Sequence, residues 1–227
     1  IPLPPLTEQK RIAAILDKAD AIRRKRQAAI KLADDFLLAT FLEMFGDPVT
    51  NPKGWDVKPF GDLLISLRYG TGSPPPYQDV GVPFIRATNI KKGTVQTGGM
   101  RFISQKDCTK ISKCKVRSGD LIIVRSGVNT GDCAIIPKQY DGAYAAYDII
   151  MTLPYEKAVF YNYLINSSFG KQLIEPLTRR AAQPHLNADQ IKGMMFISPP
   201  DKVLTKFCQI LLKVNEENQK QDVHNGD

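Results

Sequence analysis

Four short runs of this chain collect side chains suited to holding a polyanion. Arg86, Asn89, Lys91 and Lys92 follow an apolar stretch, and Arg125, Ser126 and Asn129 sit in a glycine-rich turn. Arg179, Arg180, Gln183, His185 and Asn187 form a polar run, and Arg68 with Tyr69 precedes Gly70-Thr71-Gly72. Guanidinium and ammonium groups pair with phosphate oxygens, while Arg, Asn and Gln carry paired donors or acceptors that match base edges in a DNA groove. These residues offer recognition, not the making or breaking of bonds.

Two arrangements imitate catalysis and fail on detail. Gly70-Thr71-Gly72 with Pro74-Pro75-Pro76-Tyr77 superficially resembles an amino-methyltransferase, with its glycine loop and its Asn/Asp-Pro-Pro-aromatic site. Pro74 stands where the Asn or Asp that holds the target amine is needed, and both parts fall within eight residues although two separate strands must deliver them. A polyproline-like loop is the better reading. Glu8-x-Lys10 imitates half of a nuclease metal site, but no Pro-Asp precedes it and it occupies the first turn of a helix. Cys108, Cys114, Cys133 and Cys208 are irregularly spaced, without a CxxC or a histidine pair, and read as reduced intracellular thiols. No catalytic residue, metal or cofactor is expected.

The net charge of +8 is unevenly distributed. Residues 1–50 hold eight Lys/Arg against seven Asp/Glu, and residues 201–227 hold four against five. Residues 51–200 hold nineteen against eleven, so the excess positive charge belongs to the middle of the chain. A basic globular unit between neutral segments fits a nucleic-acid-binding head on a protein-contacting frame. The competing reading is a basic head on a dimerising coiled coil with no DNA role.

The segments that must carry this head are helical. Thr7 to Phe45 contains no Pro or Gly, and a 3-4 alternation picks out Ile12, Ile15, Ala19, Ile22, Arg26, Ala29, Ala33, Phe36 and Thr40, of which seven of nine are apolar. Such a helix is roughly 57 Å long at 1.5 Å per residue. A second helix, Asp201 to Gln221, repeats the pattern through Val203, Phe207, Ile210 and Val214. Pro4-Pro5 and Pro199-Pro200 open the two segments, and Ile12, Ile15 and Leu16 match Phe207, Ile210 and Leu211 in offset, as in one period of a repeat. The second helix is shorter, so some apolar surface of the first should need another chain. Ile12, Ile15, Ala19, Ile22 and Phe36, with Phe207, Ile210 and Val214, are the expected dimer or partner face. Arg23-Arg24-Lys25-Arg26 points around the helix axis and is flanked by acids, which suits a solvated or partner-facing rod better than a phosphate clamp.

Between the helices the pattern is strand-rich, with candidate strands at Asp56–Phe60, Val82–Ala87, Arg101–Ile103, Leu121–Arg125, Cys133–Ile136, Asp148–Leu153 and Gly193–Ile197. Helical period returns at Ala158–Asn166 and Phe169–Leu177. The expected class is α+β: one strand-rich α/β globular domain at 49–198, a long helix at 1–48, and a shorter helix with a polar tail at 199–227, the helices packing in coiled-coil fashion. No apolar stretch reaches the roughly 18 residues of a membrane span. No membrane association is expected, and the expected location is the cytoplasm.

Five stretches, in order, resemble the specificity (S) subunit of type I restriction–modification enzymes. PPLTEQKRIAAIL resembles its conserved helical region, and GWDVKPFGDLL, Gly54 to Leu64, resembles the start of a target recognition domain. VPFIRATNIKKGTV, Val82 to Val95, and RSGDLIIVRSGVNTGDCAII, Arg117 to Ile136, match two internal blocks. QPHLNADQIKGMMFISPP, Gln183 to Pro200, matches the closing block. The resemblance implies a non-catalytic subunit whose recognition domain reads one half of a split double-stranded DNA target. Its helices would set the spacing and dock modification subunits, and through them restriction subunits. Complete subunits usually have two recognition domains; one here implies a half-length form or a fragment, working as a homodimer.

Overall fold

The computed structural model of the chain describes residues 3–178 and 185–223. Helix α1 (Leu6–Phe45) is one uninterrupted element of 40 residues. It starts where the Gln9 amide and side chain donate to the carbonyls of Pro5 and Pro4 at 3.0 and 2.8 Å. It ends at Gly46, whose φ of +73° is the left-handed conformation that closes helices. Arg23 and Arg24 both pair with Asp20 on the exposed surface of α1, so that half of the basic run is a solvated helix face.

The strand-rich part follows. It contains β1 (Val57–Pro59), α2 (Phe60–Leu63), β2 (Ser66–Tyr69), β3 (Tyr77–Gln78), β4 (Val82–Ile85), β5 (Ile90–Lys91), β6 (Thr94–Val95) and β7 (Arg101–Ile103). After α3 (Gln105–Cys108) come β8 (Leu121–Ile123), β9 (Cys133–Ile135), β10 (Tyr144–Ala145) and β11 (Ile149–Thr152). Helices α4 (Tyr155–Asn166), α5 (Ser168–Thr178) and α6 (Ala188–Gly193) precede β12 (Met195–Ile197) and α7 (Asp201–Val223). The class is α+β, and every strand expected from the sequence is present, Arg101–Ile103 at the expected bounds and the others in shortened form. The chain divides into a helical unit, to Met44 and from Gln209, and a globular unit, Phe45–Cys208.

Two four-stranded sheets dominate the globular unit. One is antiparallel in the order β2-β11-β8-β9; the other runs β10-β4-β7-β3, with β10 parallel to β4. Leu121, Ile122 and Ile123 of β8 are all fully buried, as a central strand covered on both faces requires. Ile122, Val124, Ala134 and Ile150 meet Ile85, Ile90 and Ala145 in the main core. The antiparallel pairing of β1 with β12 clasps the first strand of the unit to its last. Nearby, Phe60 lies 5.0 Å from Phe196 and 5.1 Å from Tyr161, and Phe45, Phe160 and Phe207 form a second ring cluster. Edge-to-face packing of this kind adds to the area buried. All four cysteines are free and buried, and desolvation raises the Cys208 thiol to about 11. They serve as small packing groups.

Arg68 enters this framework and not the surface. Its Nη2 donates to Asp120 Oδ2 at 2.8 Å and to the Lys115 carbonyl at 2.7 Å, while Thr152 Oγ1 donates to Asp120 Oδ1 at 2.7 Å. The Arg117 amide donates to the same carboxylate, whose side chain is only 3% exposed. This network ties β2 and β11 to the turn that leads into β8. Removing Asp120 leaves the Arg68 guanidinium, the Arg117 amide and the Thr152 hydroxyl without their shared acceptor. Asp120→Ala is therefore expected to lower unfolding stability by about 2–3 kcal/mol in urea titration. A loss below about 0.5 kcal/mol, the range of solvated surface pairs, would contradict it.

Candidate nucleic-acid interface

The antiparallel register sets Ile149 opposite both Tyr69 and Ile123. The C-terminal ends of β2 and β8 and the start of β11 therefore share one edge of the sheet. Tyr69 ends β2, Arg125 follows β8 by two residues, and Tyr147-Asp148 leads into β11. The Arg125 guanidinium lies 4.8 Å from the Tyr69 ring centroid and 5.1 Å from that of Tyr147. Its Nη2 is 2.9 Å from His185 Nε2, and the Arg125 carbonyl accepts from the Leu186 amide at 2.7 Å. The Tyr69 hydroxyl accepts from the Ala188 amide at 2.9 Å, and the Asn187 side chain caps α6 by accepting from the Gln190 amide. Three of the four sequence clusters thus converge. Tyr69 and Tyr147 are 40% and 50% exposed, so a cation framed by aromatic faces borders solvent.

The chain is shaped to allow this. A Cβ on Gly70 would fall 2.6 Å from the Ala145 carbonyl oxygen, so glycine is required where the backbones pass. That accounts for Gly70, whereas a Cβ on Gly72 would make only an ordinary contact with Tyr147. Tyr147 adopts φ +39°, rare for an aromatic residue, in a tight turn where the Asp148 amide donates to the Ala146 carbonyl. Asp148 is 2% exposed; its Oδ1 accepts from the Arg125 amide at 3.3 Å, and its Oδ2 has no partner among the described residues. Burial pushes its carboxyl up to about 7, against the opposing pull of the Arg125 amide and charge.

A second basic group lies beside the first. Arg86 follows β4, and the Ala146 amide donates to the Ile85 carbonyl at 2.8 Å, so Arg86 and Tyr147 leave the same end of the parallel pair β4 and β10. The guanidiniums of Arg86 and Arg101 converge on the Tyr77 ring at 5.7 and 5.8 Å, and Arg86 Nη2 also donates to the Gly99 carbonyl. Lys91 and Lys92 are exposed on the β5–β6 hairpin, and Asn129 is half-buried in the turn after β8.

Several expectations need correction. Arg68 is held by Asp120 and is part of the framework. Asn89 is fully buried: its Oδ1 accepts from the Arg86 amide, and its Nδ2 donates to the Gln96 and Gly98 carbonyls, so it shapes the loop and cannot meet a ligand. Asn187 is exposed but committed to its cap. Phe207, expected on the partner face, is fully buried against Phe45, Phe160 and Tyr163. Arg179, Arg180 and Gln183 lie outside the described residues. On α1, Ile12, Ile15, Ala19, Ile22 and Phe36 are exposed, whereas Ile210 and Val214 of α7 are half-buried. Tyr147, Asp148, Tyr77 and Arg101 were not anticipated; an aromatic residue in a polar turn between strands was the available signal.

A model of the type I restriction modification DNA specificity domain matches residues 52–224. The chain belongs to this family. It is 24% identical over 97% of its length to the MjaIX specificity subunit of Methanocaldococcus jannaschii, covering 56% of that protein. It is 24% identical over 89% of its length to the EcoKI specificity subunit of Escherichia coli, covering 47% of it. The specificity-domain chain thus spans about half the length of the curated relatives it matches. The crystal structure of an S subunit from M. genitalium aligns over 96% of the chain and 57% of that structure, with a TM-score of 0.64 and 10% identity, which supports the fold.

Asp148 gives a pH test. Its carboxyl rises from the ordinary 3.8 to about 7 on folding, so the folded state holds the proton more tightly. The resulting stability is fully present below about pH 4 and is lost as pH rises through about 7. Asp148→Asn keeps the oxygen that accepts from Arg125 and removes the ionisation. Its thermal midpoint should exceed the parent's at pH 8, with an advantage larger than at pH 5 by on the order of 2 kcal/mol. Parallel pH profiles for the two proteins would refute the assignment.

Proposed function

We propose that the chain is a DNA-recognition module of a type I restriction–modification system, reading one half of a bipartite double-stranded target and performing no chemistry itself. The observation that carries this reading is the group of half-buried arginines and exposed tyrosine rings at the strand ends, in a globular unit that holds the chain's whole excess of positive charge, within a specificity-domain family. Arg86, Arg125, Lys91, Lys92 and Asn129 are the side chains available to DNA, with Tyr69, Tyr77 and Tyr147 as apolar and stacking surface. His185, which meets Arg125, belongs to the same face, and Arg179, Arg180 and Gln183 are candidates for DNA contact by residue type alone.

The helical unit supplies the spacing and the docking surface. Exposed Ile12, Ile15, Ile22 and Phe36 form an apolar stripe, and a groove of about 760 Å³ between α1 and α7 is lined by Ala29, Leu32, Ala33, Phe36, Ile210 and Val214. Helices that leave such surface uncovered associate with others. In this reading the surface takes a second copy of the chain and modification subunits, through which restriction subunits join. Two identical heads about a two-fold axis would read an inverted repeat with an unspecified spacer. The setting would be the cytoplasm, where host DNA is.

Two measurements test this. Anisotropy titration against duplexes of mixed sequence should give a slope of log affinity against log salt of about −3 or steeper, as expected when several phosphates are neutralised. A slope near zero would favour a basic scaffold with no DNA role. Sedimentation should show a dimer, and Ile15→Asp with Phe36→Asp should yield a folded monomer. A parent chain that stays monomeric at high concentration would remove the self-association.

A further inference from the structure

Arg125 is held from several directions at once. Its amide donates to buried Asp148, its carbonyl accepts from Leu186, its Nη2 meets His185, and two tyrosine rings flank its charge. A free arginine loses considerable rotamer entropy when it binds, whereas one fixed in the folded state has already lost most of it. Lys91 and Lys92 stand exposed on a hairpin and keep that freedom, which suits positioning contacts to phosphate. Where Asp148 is ionised, above about pH 7, its carboxylate also subtracts positive potential beneath Arg125, which weakens it as a general phosphate clamp. The directional donors of a planar fork are unaffected by that loss. One Nη2 hydrogen serves His185 and Nε is buried without a partner among the described residues, so the Nη1/Nη2 end of the fork carries the remaining donors.

We propose that Arg125 is a specificity-determining residue that reads a guanine, its Nη1 and Nη2 hydrogens donating to O6 and N7 in the major groove, with Tyr69, Tyr147 and His185 as positioning residues. This rests on the DNA-recognition reading above. Guanine is the base that offers two adjacent acceptors to such a fork. The two aromatic faces, 4.8 and 5.1 Å from the guanidinium, limit how far it can tilt, and they disfavour the adjustable geometry that a phosphate accepts.

The test starts from the full chain selecting binding sites out of randomised duplexes. Each guanine of the selected site is then replaced in turn by 7-deazaguanine, which lacks only the N7 acceptor. One position should weaken binding by the parent about tenfold. The same replacement should change binding by Arg125→Lys less than twofold, and Arg125→Lys should select a site that is degenerate there. Its salt slope should shift by no more than about one, because the charge remains. Lys91→Ala with Lys92→Ala should weaken all duplexes alike. A selected site without guanine, no position sensitive to 7-deazaguanine, or an unchanged site for Arg125→Lys would overturn the assignment while leaving DNA recognition standing. If the parent selects no site and its affinity ignores salt, the DNA reading itself fails and the assignment falls with it. Should Arg125→Lys not fold, the 7-deazaguanine scan on the parent decides alone.

Discussion

The register of one antiparallel sheet governs the placement of Tyr69, Arg125 and Tyr147 at the candidate interface. Ile149 lies opposite Tyr69 on one side and Ile123 on the other, so three strand ends meet at one edge. Neighbouring strand residues point to opposite faces, and a slip of one residue would invert the whole set. Arg68 and Tyr69 show how the register is locked. Arg68 is drawn to Asp120 on one face, which directs Tyr69 to the other, where it meets Arg125. β8 reinforces this because its three residues are buried on both faces and have no alternative register that keeps them from water.

The edge itself is built from costly conformations. Tyr147 sits in left-handed backbone space, Gly70 passes too close to Ala145 and Ala146 for any side chain, and Asp148 is buried with one oxygen unpartnered among the described residues. Each disfavours folding, and such features persist only where surrounding structure over-determines them. Here the two sheets and their shared apolar core provide that constraint. The result is a guanidinium 4.8 and 5.1 Å from two ring centroids, held by contacts of the fold itself. Preorganisation of this kind moves an entropic cost from binding to folding, which suits a surface that must discriminate between similar partners.

Much of the fold was legible because its central strands are short apolar runs bounded by turn residues. Val82-Pro83-Phe84-Ile85, Leu121-Ile122-Ile123 and Ile149-Ile150-Met151 carry that signal, and the structure has strands there. Strands β2, β3, β5, β6 and β10 escaped notice because they are short, or mix apolar with polar residues, and pair only through tertiary context. The site was half legible. Its clusters are visible as basic and amide runs, but their fates depend on distant partners. Arg68 finds Asp120 at 52 positions' separation, which no local pattern discloses. Asn89 caps its own loop, and a long-range reading of a local residue mistook that for recognition.

Phe207 shows why periodicity identifies a buried face but not what buries it. Leu204, Phe207 and Cys208 lie on the apolar side of α7 and are buried in the globular unit. Ile210 and Val214 continue the same stripe, yet belong to the helical unit and line its groove. The sequence rhythm does not change between them, because helical spacing depends only on the 3.6-residue turn. What changes is the neighbour, and with it the role: the first two turns of α7 contribute to a packed aromatic core, and the later turns leave apolar surface half covered. A helix shared in this way ties the stability of the globular core to the start of the same element whose later turns carry half-buried apolar residues. The transition falls between Cys208 and Ile210, within one turn, where side-chain burial, not sequence pattern, separates framework from interface.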